Sequence, residues 1–282
     1  MIKRRDRVIH PTSRSAAIET VYFVHFSDTH IGPSPGFSSH GRLALPYAQR
    51  LIDVVNGLPS KPDFVMHTGD IVNDPHPESY ALAAEVLSKF HAPIYYVNGN
   101  HDRRNDIRKY LEMGPMEWLG ENPDDFTYVF ELKGFRFLVI DARGPLTIDP
   151  QGQLSESQLA IVRREAAPDG PPLVIFIHYP VLAMNSPWMD TNMLITNGEE
   201  LHQALLPARQ RLRAVFHGHV HQPMQIIRDG IVYVAAASSL AQFAAWPVDE
   251  TIRHDLQAPA GFNFVHLLPQ QTIIHQHTFQ RP

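Results

Sequence analysis

Residues 21–30 read Val-Tyr-Phe-Val-His-Phe-Ser-Asp-Thr-His, an apolar run followed at once by two side chains that can bind a metal. A nearly continuous apolar run of this length is typical of a strand buried on both faces. Asp28 and His30 stand two residues apart just beyond the run, so both can point to one side of the strand end. This stretch predicts a buried strand with a functional end.

The same pattern recurs along the chain. Further strand-like runs lie at 63–67, 93–97, 135–140, 173–177 and 213–216. Segments with helical spacing of apolar residues lie at 46–57, 77–90, 155–166 and 198–206. Alternation of strands and helices predicts βαβ units and a largely parallel or mixed sheet, which is an α/β fold.

The last third of the chain has a different character. Residues 226–234 predict a hairpin that turns at Asp229-Gly230, and residues 262–268 and 272–279 predict two more strands. These strands predict a second sheet packed against the first. Because no linker, internal repeat or low-complexity segment divides the chain, we expect a single domain over residues 1–282.

Composition narrows the class of protein. The 282 residues suffice for one large α/β domain or two small ones, and 44% hydrophobic with 19% charged residues is typical of a soluble globular protein. A net charge of -5 provides no electrostatic footprint for nucleic acid or an anionic membrane, so an anionic substrate would need local positive charge such as bound metal. The absence of cysteine excludes disulfides and thiolate metal sites, and it fits the reducing cytoplasm, where we expect the protein to act.

The N-terminus is basic, with Lys3, Arg4, Arg5 and Arg7, but the apolar run of a secretory signal does not follow. We therefore interpret residues 1–18 as a loosely held arm. No apolar stretch approaches the roughly 20 residues that a membrane-spanning helix needs, so no membrane partner is expected.

Metal-capable side chains follow five of the predicted strands, where the ligand crevice of an open α/β sheet lies. They are Asp28, His30, Asp70, Asn100, His101, Asp102, His178, His217, His219 and His221. Imidazole suits zinc and iron, while carboxylate and amide oxygens suit manganese and magnesium. Two divalent or trivalent ions (Mn, Fe, Zn or Co) therefore fit this set, with Asp70 as a natural bridging ligand.

Each motif also has a plainer interpretation. Gly69-Asp70 after a strand is usually a turn, and Asn98–His101 could be a turn closed by an asparagine side chain. The cluster at His217–His221 is harder to explain in this way, because histidines gain nothing from clustering in a turn. Five such motifs in strand order favour a shared site.

Other histidines are expected to have structural roles. His25 and His67 lie within strand runs, where packed and hydrogen-bonded rings are the usual finding. His40 and His76 could line the mouth of the site, but a position on the surface is favoured.

The order Asp-x-His, Gly-Asp, Gly-Asn-His-Asp, His, Gly-His-x-His resembles the calcineurin-like metallophosphoesterases, over about residues 21–268. The resemblance implies two packed mixed sheets flanked by helices, in four αββα layers, with a dinuclear metal centre at one edge. It implies that one metal is held by Asp28, His30, Asp70 and His221. It implies that the other is held by Asp70, Asn100, His178 and His219.

The resemblance also implies roles for side chains beside the metals. His101 would face the phosphate together with Asn100, and would polarise an oxygen or protonate the leaving group. Asp102 would orient His101 or a neighbouring loop. His217 has no ligand role by this resemblance, and we expect it to pack in the core or behind the ligands.

A narrower resemblance links residues 188–201, 238–243 and 258–262 to the class III cyclic-nucleotide phosphodiesterases. Two motifs depart from that group. His178-Tyr179-Pro180 stands where His-His-Pro is frequent, and Ile-Val-Asn-Asp-Pro after Asp70 lacks the usual glycine-containing turn. These departures bear on specificity for cyclic nucleotides more than on phosphodiester cleavage.

Together these features predict a phosphodiesterase that cleaves small-molecule phosphodiesters, with cyclic nucleotides among the candidates, by attack of a hydroxide that bridges two metals. Loops 32–45, 72–78 and 183–197 would form the pocket, the last as an active-site loop. Arg103 and Arg104 could contact the phosphate or begin a solvated helix.

Two alternatives stay open. A phosphomonoesterase would use the same centre, and the ligand set does not separate it from a diesterase. A non-catalytic scaffold would be expected to have lost ligands, whereas all seven positions are intact. The resemblance further suggests a homodimer, for which Leu240, Phe243 and Trp246 could provide an interface, although they could equally be core.

Overall fold

The computed structural model describes residues 18–120, 122, 124–280 and 282, so residues 1–17 of the predicted arm lie outside the described residues. The α-helices are α1 (Ala44–Asn56), α2 (Pro77–Leu87), α3 (Arg104–Tyr110), α4 (Glu156–Glu165), α5 (Pro187–Asn192) and α6 (Gly198–Leu205), with 3-10 turns at Leu146–Ile148 and Leu206–Ala208. The strands are β1 (Val21–Phe26), β2 (Ser38–Ser39), β3 (Arg42–Leu43), β4 (Phe64–His67), β5 (Ile94–Tyr96), β6 (Glu117–Trp118), β7 (Tyr128–Leu132), β8 (Phe135–Val139), β9 (Leu173–Phe176), β10 (Leu212–His217), β11 (Met224–Arg228), β12 (Ile231–Ala235), β13 (Gln242–Ala244), β14 (Arg253–Asp255), β15 (Ala260–Leu267) and β16 (Thr272–Phe279).

The first large sheet has the strand order β16-β15-β1-β4-β5. Strands β1, β4 and β5 are parallel, so their carboxyl ends lie at one edge. Strands β15 and β16 add to the other side in antiparallel pairs, with Val21 of β1 opposite Leu267 of β15.

The second large sheet has the order β11-β12-β10-β9-β8-β7-β6. Strands β8, β9, β10 and β12 are parallel at its centre. Antiparallel hairpins extend it on both sides, and the β7–β8 hairpin turns at Lys133-Gly134, where both residues have positive φ, as tight hairpin turns require.

A layer of aromatic rings joins the two sheets. Phe23 and Phe64 of the first sheet stack at 4.9 Å, and Phe64 meets Phe137 of the second sheet edge to face at 5.1 Å. Phe23 also contacts Phe176 and Phe216 at 5.6 and 5.3 Å. Because such rings bury a large apolar area and interlock by edge-to-face contacts, they fix the two sheets against each other.

Alternate residues of the second sheet face opposite layers. Phe137 and Phe176 point to the first sheet, whereas their neighbours Leu138 and Ile175 pack against α4 and α6. Helices α1 and α2 cover the other face of the first sheet with their apolar stripes, and α3 adds the buried side chain of Ile107. The four αββα layers predicted from the sequence are therefore confirmed.

The six strand-like runs and four helical segments all appear in the structure, within a few residues of their predicted bounds. The division between the sheets differs from the prediction. The hairpin β11–β12 joins the later strands β8 to β10, while β15 and β16 join the early strand β1. Strand β7 was not predicted, and helix α3 was considered only as a solvated helix that could begin at Arg103 or Arg104. Among the described residues, no helix combines the length and apolar character that crossing a membrane requires.

Candidate metal centre

The strand ends of both sheets meet at one edge and are joined by hydrogen bonds. The backbone N–H of Asp28 donates to the Gly69 carbonyl at 3.1 Å, which links the loops after β1 and β4. The N–H of Gly218 donates to the His178 carbonyl at 3.0 Å, which links the loops after β9 and β10. The N–H of His219 donates to Asp28 Oδ2 at 3.2 Å and so connects the two sheets.

Several side chains at this edge start from an unusual backbone. Nine non-glycine residues among those described have φ between 44° and 70°, and five of the nine are candidate ligands: Asp28, His30, Asp70, His219 and His221. The left-handed region costs a non-glycine residue on the order of 1–3 kcal/mol, and such strain persists only where the surroundings impose it. The clustering of strain at one edge indicates that the fold is directing these side chains inward.

One half of the site is built from Asp28, His30 and His221. His221 Nε2 lies 3.1 Å from His30 Nε2 and 3.4 Å from Asp28 Oδ1, and all three residues are buried. His221 Nδ1 donates to the Ala241 carbonyl at 2.9 Å. With Nδ1 engaged in that bond, Nε2 faces the Asp28 carboxylate, an arrangement that a cation between them would stabilise.

The other half is built from Asp70, His178 and His219. His178 Nε2 lies 3.3 Å from Asp70 Oδ2 and 3.1 Å from His219 Nδ1. His178 Nδ1 bonds the Thr68 carbonyl at 2.6 Å, so its Nε2 is also turned toward a carboxylate. Asn100 follows β5 in the next loop and is 9% exposed.

Buried polar atoms indicate that this edge is built to hold cations. Asp28 Oδ1, His30 Nδ1, Asn100 Oδ1 and His219 Nε2 have no hydrogen-bond partner within the described part of the chain. Unsatisfied buried polar groups are costly, and metal ligation is one established way to satisfy them. The residues present therefore fit a metal centre.

The pKa values of two candidate ligands agree with this fit. Burial lowers the pKa of His219 to about 3 and the pKa of His30 well below its usual value, so both rings are neutral, the form that binds metal. Burial opposes ionisation of Asp70, but the nearby histidines, His178 first among them, together hold the Asp70 pKa well below its usual value. Burial likewise opposes protonation of His178, yet the Asp70 carboxylate raises the pKa of His178 to about 9, so His178 has to release a proton to bind a metal.

Asp102 holds two loops of the site together. Its buried carboxylate accepts backbone N–H groups of Ile71 at 3.0 Å, Val72 at 3.2 Å and Gly99 at 3.0 Å. These bonds tie the loop after β4 to the loop after β5. Of the two roles considered for Asp102 in the sequence, the geometry corresponds to orienting a loop.

His101 stands at the open side of the site. Its backbone N–H donates to Asp70 Oδ1 at 3.0 Å, and its ring Nδ1 lies 2.6 Å from the Asn73 carbonyl oxygen. The half-buried ring meets the His30 ring at 4.9 Å, nearly perpendicular. With Nδ1 engaged, Nε2 is the ring nitrogen available to a substrate.

The histidines expected inside the core lie there. His25 Nε2 bonds Thr68 Oγ1 at 2.9 Å, and His67 Nε2 bonds Thr29 Oγ1 at 2.9 Å. His217 is 1% exposed at the end of β10, and burial lowers its pKa to about 4.

His40 differs from the favoured expectation of a surface position. It is half-buried, and its ring lies 5.1 Å from the His30 ring and 5.4 Å from the His221 ring. Its neighbours include Phe243, which was considered for a dimer interface, and His254, which the sequence reasoning missed. No local signal identifies His254, because it lies between the segments 238–243 and 258–262 and belongs to neither. His76 is exposed as expected.

The possible phosphate contacts and the possible interface residues differ in how far they are buried. Arg104 forms an ion pair with Asp141, which matches the start of a helix more closely than a phosphate contact. Arg103 is exposed and immediately precedes α3. Leu240 is buried in the core, whereas Trp246 is 64% exposed.

Known proteins share these features. Residues 21–223 match the sequence profile described as calcineurin-like phosphoesterase. The chain is 29% identical to a 3',5'-cyclic adenosine monophosphate phosphodiesterase, CpdA, of Haemophilus influenzae, over 64% of this chain and 62% of that protein. It is 31% identical to the glycerophosphodiester phosphodiesterase GpdQ of Enterobacter lignolyticus, over 70% of this chain and 69% of that protein.

The fold is shared with a dimetal phosphatase from Danio rerio, at a TM-score of 0.63 and 15% identity over 92% of this chain and 99% of that one. The matched profile spans every predicted motif from Asp28 to His221. The chain belongs to the calcineurin-like phosphoesterase family, whose members are phosphoester hydrolases with a dinuclear metal centre.

Proposed function

We propose that this protein hydrolyses phosphodiesters at a dinuclear metal centre. One observation carries the proposal: Asp70 belongs to two groups of converging ligand atoms. It lies with His30 and His101 in one group and with His178 and His219 in another, and the ligand atoms of each group lie within 4.8 Å of one another. A carboxylate shared in this way is the natural bridge between two ions.

The seven residues divide between two sites. One ion would be held by Asp28, His30, Asp70 and His221. The other would be held by Asp70, Asn100, His178 and His219. The short distances within each half, 3.1 Å from His30 to His221 and 3.1 Å from His178 to His219, support this division. Manganese, iron, zinc and cobalt all suit the mixed nitrogen and oxygen donors.

When bound, the ions supply positive charge that stabilises phosphoryl oxygens and acidifies the attacking water. The side chains around the ions position the substrate and transfer a proton. Asn100 and His101 contact the phosphate from the loop after β5, and His101 Nε2 polarises a phosphoryl oxygen or protonates the leaving oxygen. Asp102 keeps that loop in register with the loop that carries Asp70.

A diester is favoured over a monoester by the charges beside the site. A monoester carries an extra negative charge, which usually calls for additional cationic donors. The guanidinium of Arg104 is already paired with Asp141, and that of Arg143 donates to the Asp102 carbonyl. The named activities of the two relatives, on cyclic nucleotides and on glycerophosphodiesters, are both diester cleavages.

The test compares bis-(p-nitrophenyl) phosphate with p-nitrophenyl phosphate, using manganese-loaded protein. We expect the diester to have the higher kcat/KM. A many-fold preference for the monoester would make the protein a phosphomonoesterase, and absence of turnover with both substrates despite full metal loading would favour the scaffold.

The variant Asp70→Asn tests the bridge itself. We expect metal content to fall below two ions per chain and kcat to fall about 100-fold or more. Asp53→Asn, on the exposed face of α1, is the matched control and should keep both. Wild-type activity and metal content in Asp70→Asn would contradict the proposed bridging role. The cytoplasmic location and the homodimer stay predictions, the latter measurable by light scattering.

A further inference from the structure

A segment near the C-terminus lies against the metal half formed by His30 and His221. We call residues 240–258 the flap, which contains the hairpin β13–β14. The Phe243 N–H donates to the His221 carbonyl at 3.1 Å, and Gln222 Nε2 donates to the Phe243 carbonyl at 2.6 Å. The flap is thus attached directly to the loop that carries a candidate ligand.

The flap and loop 32–45 bring three planar rings together beside this half of the site. Phe243 stacks on His221 with ring centres 4.3 Å apart and planes within 7°. His254 lies 5.2 Å from Phe243 and 4.8 Å from His40. We call His40, Phe243 and His254 the aromatic wall. Phe243 and His40 are half-buried and His254 is exposed, so the wall leads from the ligands to solvent.

A buried arginine fixes the flap in this position. Arg42, 7% exposed in β3, donates to the carbonyl oxygens of Leu240 at 2.5 Å, Leu256 at 2.8 Å and Ala258 at 3.1 Å. Leu240 begins the flap and Ala258 ends it, so a single guanidinium clamps both of its ends. A clamp of this kind holds the rings in place before any ligand arrives, which lowers the entropy cost of binding.

Apolar side chains lie near Phe243. Together with Met184 and Trp188 of loop 183–197 and Ile252 of the flap, all partly buried, Phe243 packs against a buried apolar cluster that contains Met189 and Val220. The Phe243 ring and its apolar neighbours offer little to a hydroxyl-rich ligand, which would lose hydrogen bonds to water there. They suit a flat ligand with a π face, because stacking is tolerant of the chemical identity of the ring.

We propose that the aromatic wall binds a planar aromatic arm of the phosphodiester, as in a nucleoside phosphate, while the phosphate lies at the metal centre. This inference rests on the proposed function. It selects between the two diester classes named among the relatives, because a glycerol arm has no ring to stack. His254 and His40 are then specificity-determining residues, and Arg42 is a positioning residue.

The test compares His254→Ala with wild type, using adenosine 3',5'-cyclic monophosphate and glycerophosphoethanolamine as substrates of the manganese-loaded enzyme. We expect the ratio of kcat/KM for the nucleotide to that for the glycerol diester to fall roughly 5- to 100-fold, chiefly through KM, because stacking on one ring contributes about that much to binding a base. His254→Phe should restore the ratio. His275→Ala, which removes an exposed ring on β16, is the matched control and should leave the ratio unchanged.

Binding is measured separately by calorimetric titration with adenosine 5'-monophosphate and with glycerol 3-phosphate. We expect wild type to prefer the nucleotide and His254→Ala to lose that preference. An unchanged ratio and an unchanged preference in His254→Ala would contradict binding of an aromatic arm at the wall, but would not contradict hydrolysis of diesters. Nucleotide binding that depends on His254, without turnover of either diester, would overturn the proposed function and leave the wall standing.

His40 needs one further measurement because its ring is close to His30 and His221. We expect His40→Ala to keep two metal ions per chain and to lower the same substrate ratio. Loss of an ion would make His40 a metal ligand and would remove it from the wall.

Discussion

Replacing Asp102 by asparagine tests how the loops after β4 and β5 are held in register. The buried carboxylate accepts N–H groups from three backbone positions, with Oδ1 shared by Ile71 and Val72 and Oδ2 facing Gly99. The two loops carry candidate ligands on either side of this contact. Loss of the contact should therefore affect both stability and activity.

The size of the effect follows from the geometry. Asparagine has nearly the same shape as aspartate, but one of its two terminal atoms is an NH2 group that cannot accept a hydrogen bond. Whichever way the amide turns, at least one buried N–H then faces another donor. A lost bond to a charged acceptor costs about 1.5–3 kcal/mol and an unsatisfied buried donor about 1–3 kcal/mol, so we expect the free energy of unfolding to fall by about 3–5 kcal/mol.

The assay is thermal unfolding of metal-free protein in chelator, followed by kinetics after manganese loading. We expect Tm to fall by roughly 6–15 °C and kcat/KM for a diester to fall about 10- to 100-fold, the usual cost of disturbing groups that orient ligands. A Tm within about 1 °C of wild type would refute the reasoning. Loss of activity without loss of Tm would instead assign Asp102 a chemical role.

Three further predictions concern close packing, the core and an ion pair. Gly218→Ala should lower metal affinity and activity at least about 10-fold, because an added Cβ would overlap the Ser27 side chain and approach the Asp28 carboxylate. Metal titration and kinetics measure both effects. Phe64→Ala should lower the free energy of unfolding by about 3–5 kcal/mol in denaturant titration, since its 1% exposed ring lies between the sheets. Glu165→Gln should cost about 1–2 kcal/mol at pH 7. Burial opposes ionisation of Glu165, but the hydrogen bond from Arg136 holds the Glu165 pKa below its usual value, so this stabilisation is present above pH about 4.3 and is lost as the pH falls through the folded pKa.

Each of these predictions has a control and a contradicting result. Gly36→Ala adds a Cβ to open space and should keep metal content. Equal losses of metal in Gly36→Ala and Gly218→Ala would contradict the role given to close packing at Gly218. Trp246→Ala removes an exposed ring and should change the free energy of unfolding by less than about 0.5 kcal/mol. If Trp246→Ala and Phe64→Ala lowered this free energy equally, the position of Phe64 between the sheets would not explain its effect. A difference between wild type and Glu165→Gln that persisted unchanged in acid would contradict the ion pair with Arg136.

Local patterns predicted much of this fold because the central strands are buried on both faces. Runs such as Val21–Phe26 and Leu173–Phe176 are continuous in apolar residues, and they appear at the predicted positions. Edge elements carry weaker signals. Strand β7 pairs through a two-residue turn at Lys133-Gly134 that lacks the usual asparagine or aspartate, and helix α3 is rich in charged residues and has few apolar positions.

The sheet that each strand joins could not be predicted in the same way. Strand β15 pairs with β1 after more than two hundred residues, and β16 pairs with β15. The alternation of residues in β15 does not indicate that β1 is its partner. The sheet that a strand joins depends on which apolar surfaces remain uncovered once the rest has folded.

The sequence by itself determined the kinds of metal-capable side chain and their order at the strand ends, because the carboxyl ends of parallel strands must meet at one edge. Only the tertiary structure decided which of them meet. His30 lies 3.1 Å from His221 across 191 residues, and the flap brings His254 beside His40. These distances arise from packing between segments that are remote in the chain, and from backbone conformations that this packing imposes. Neither can be predicted from the periodic patterns of residues in the sequence.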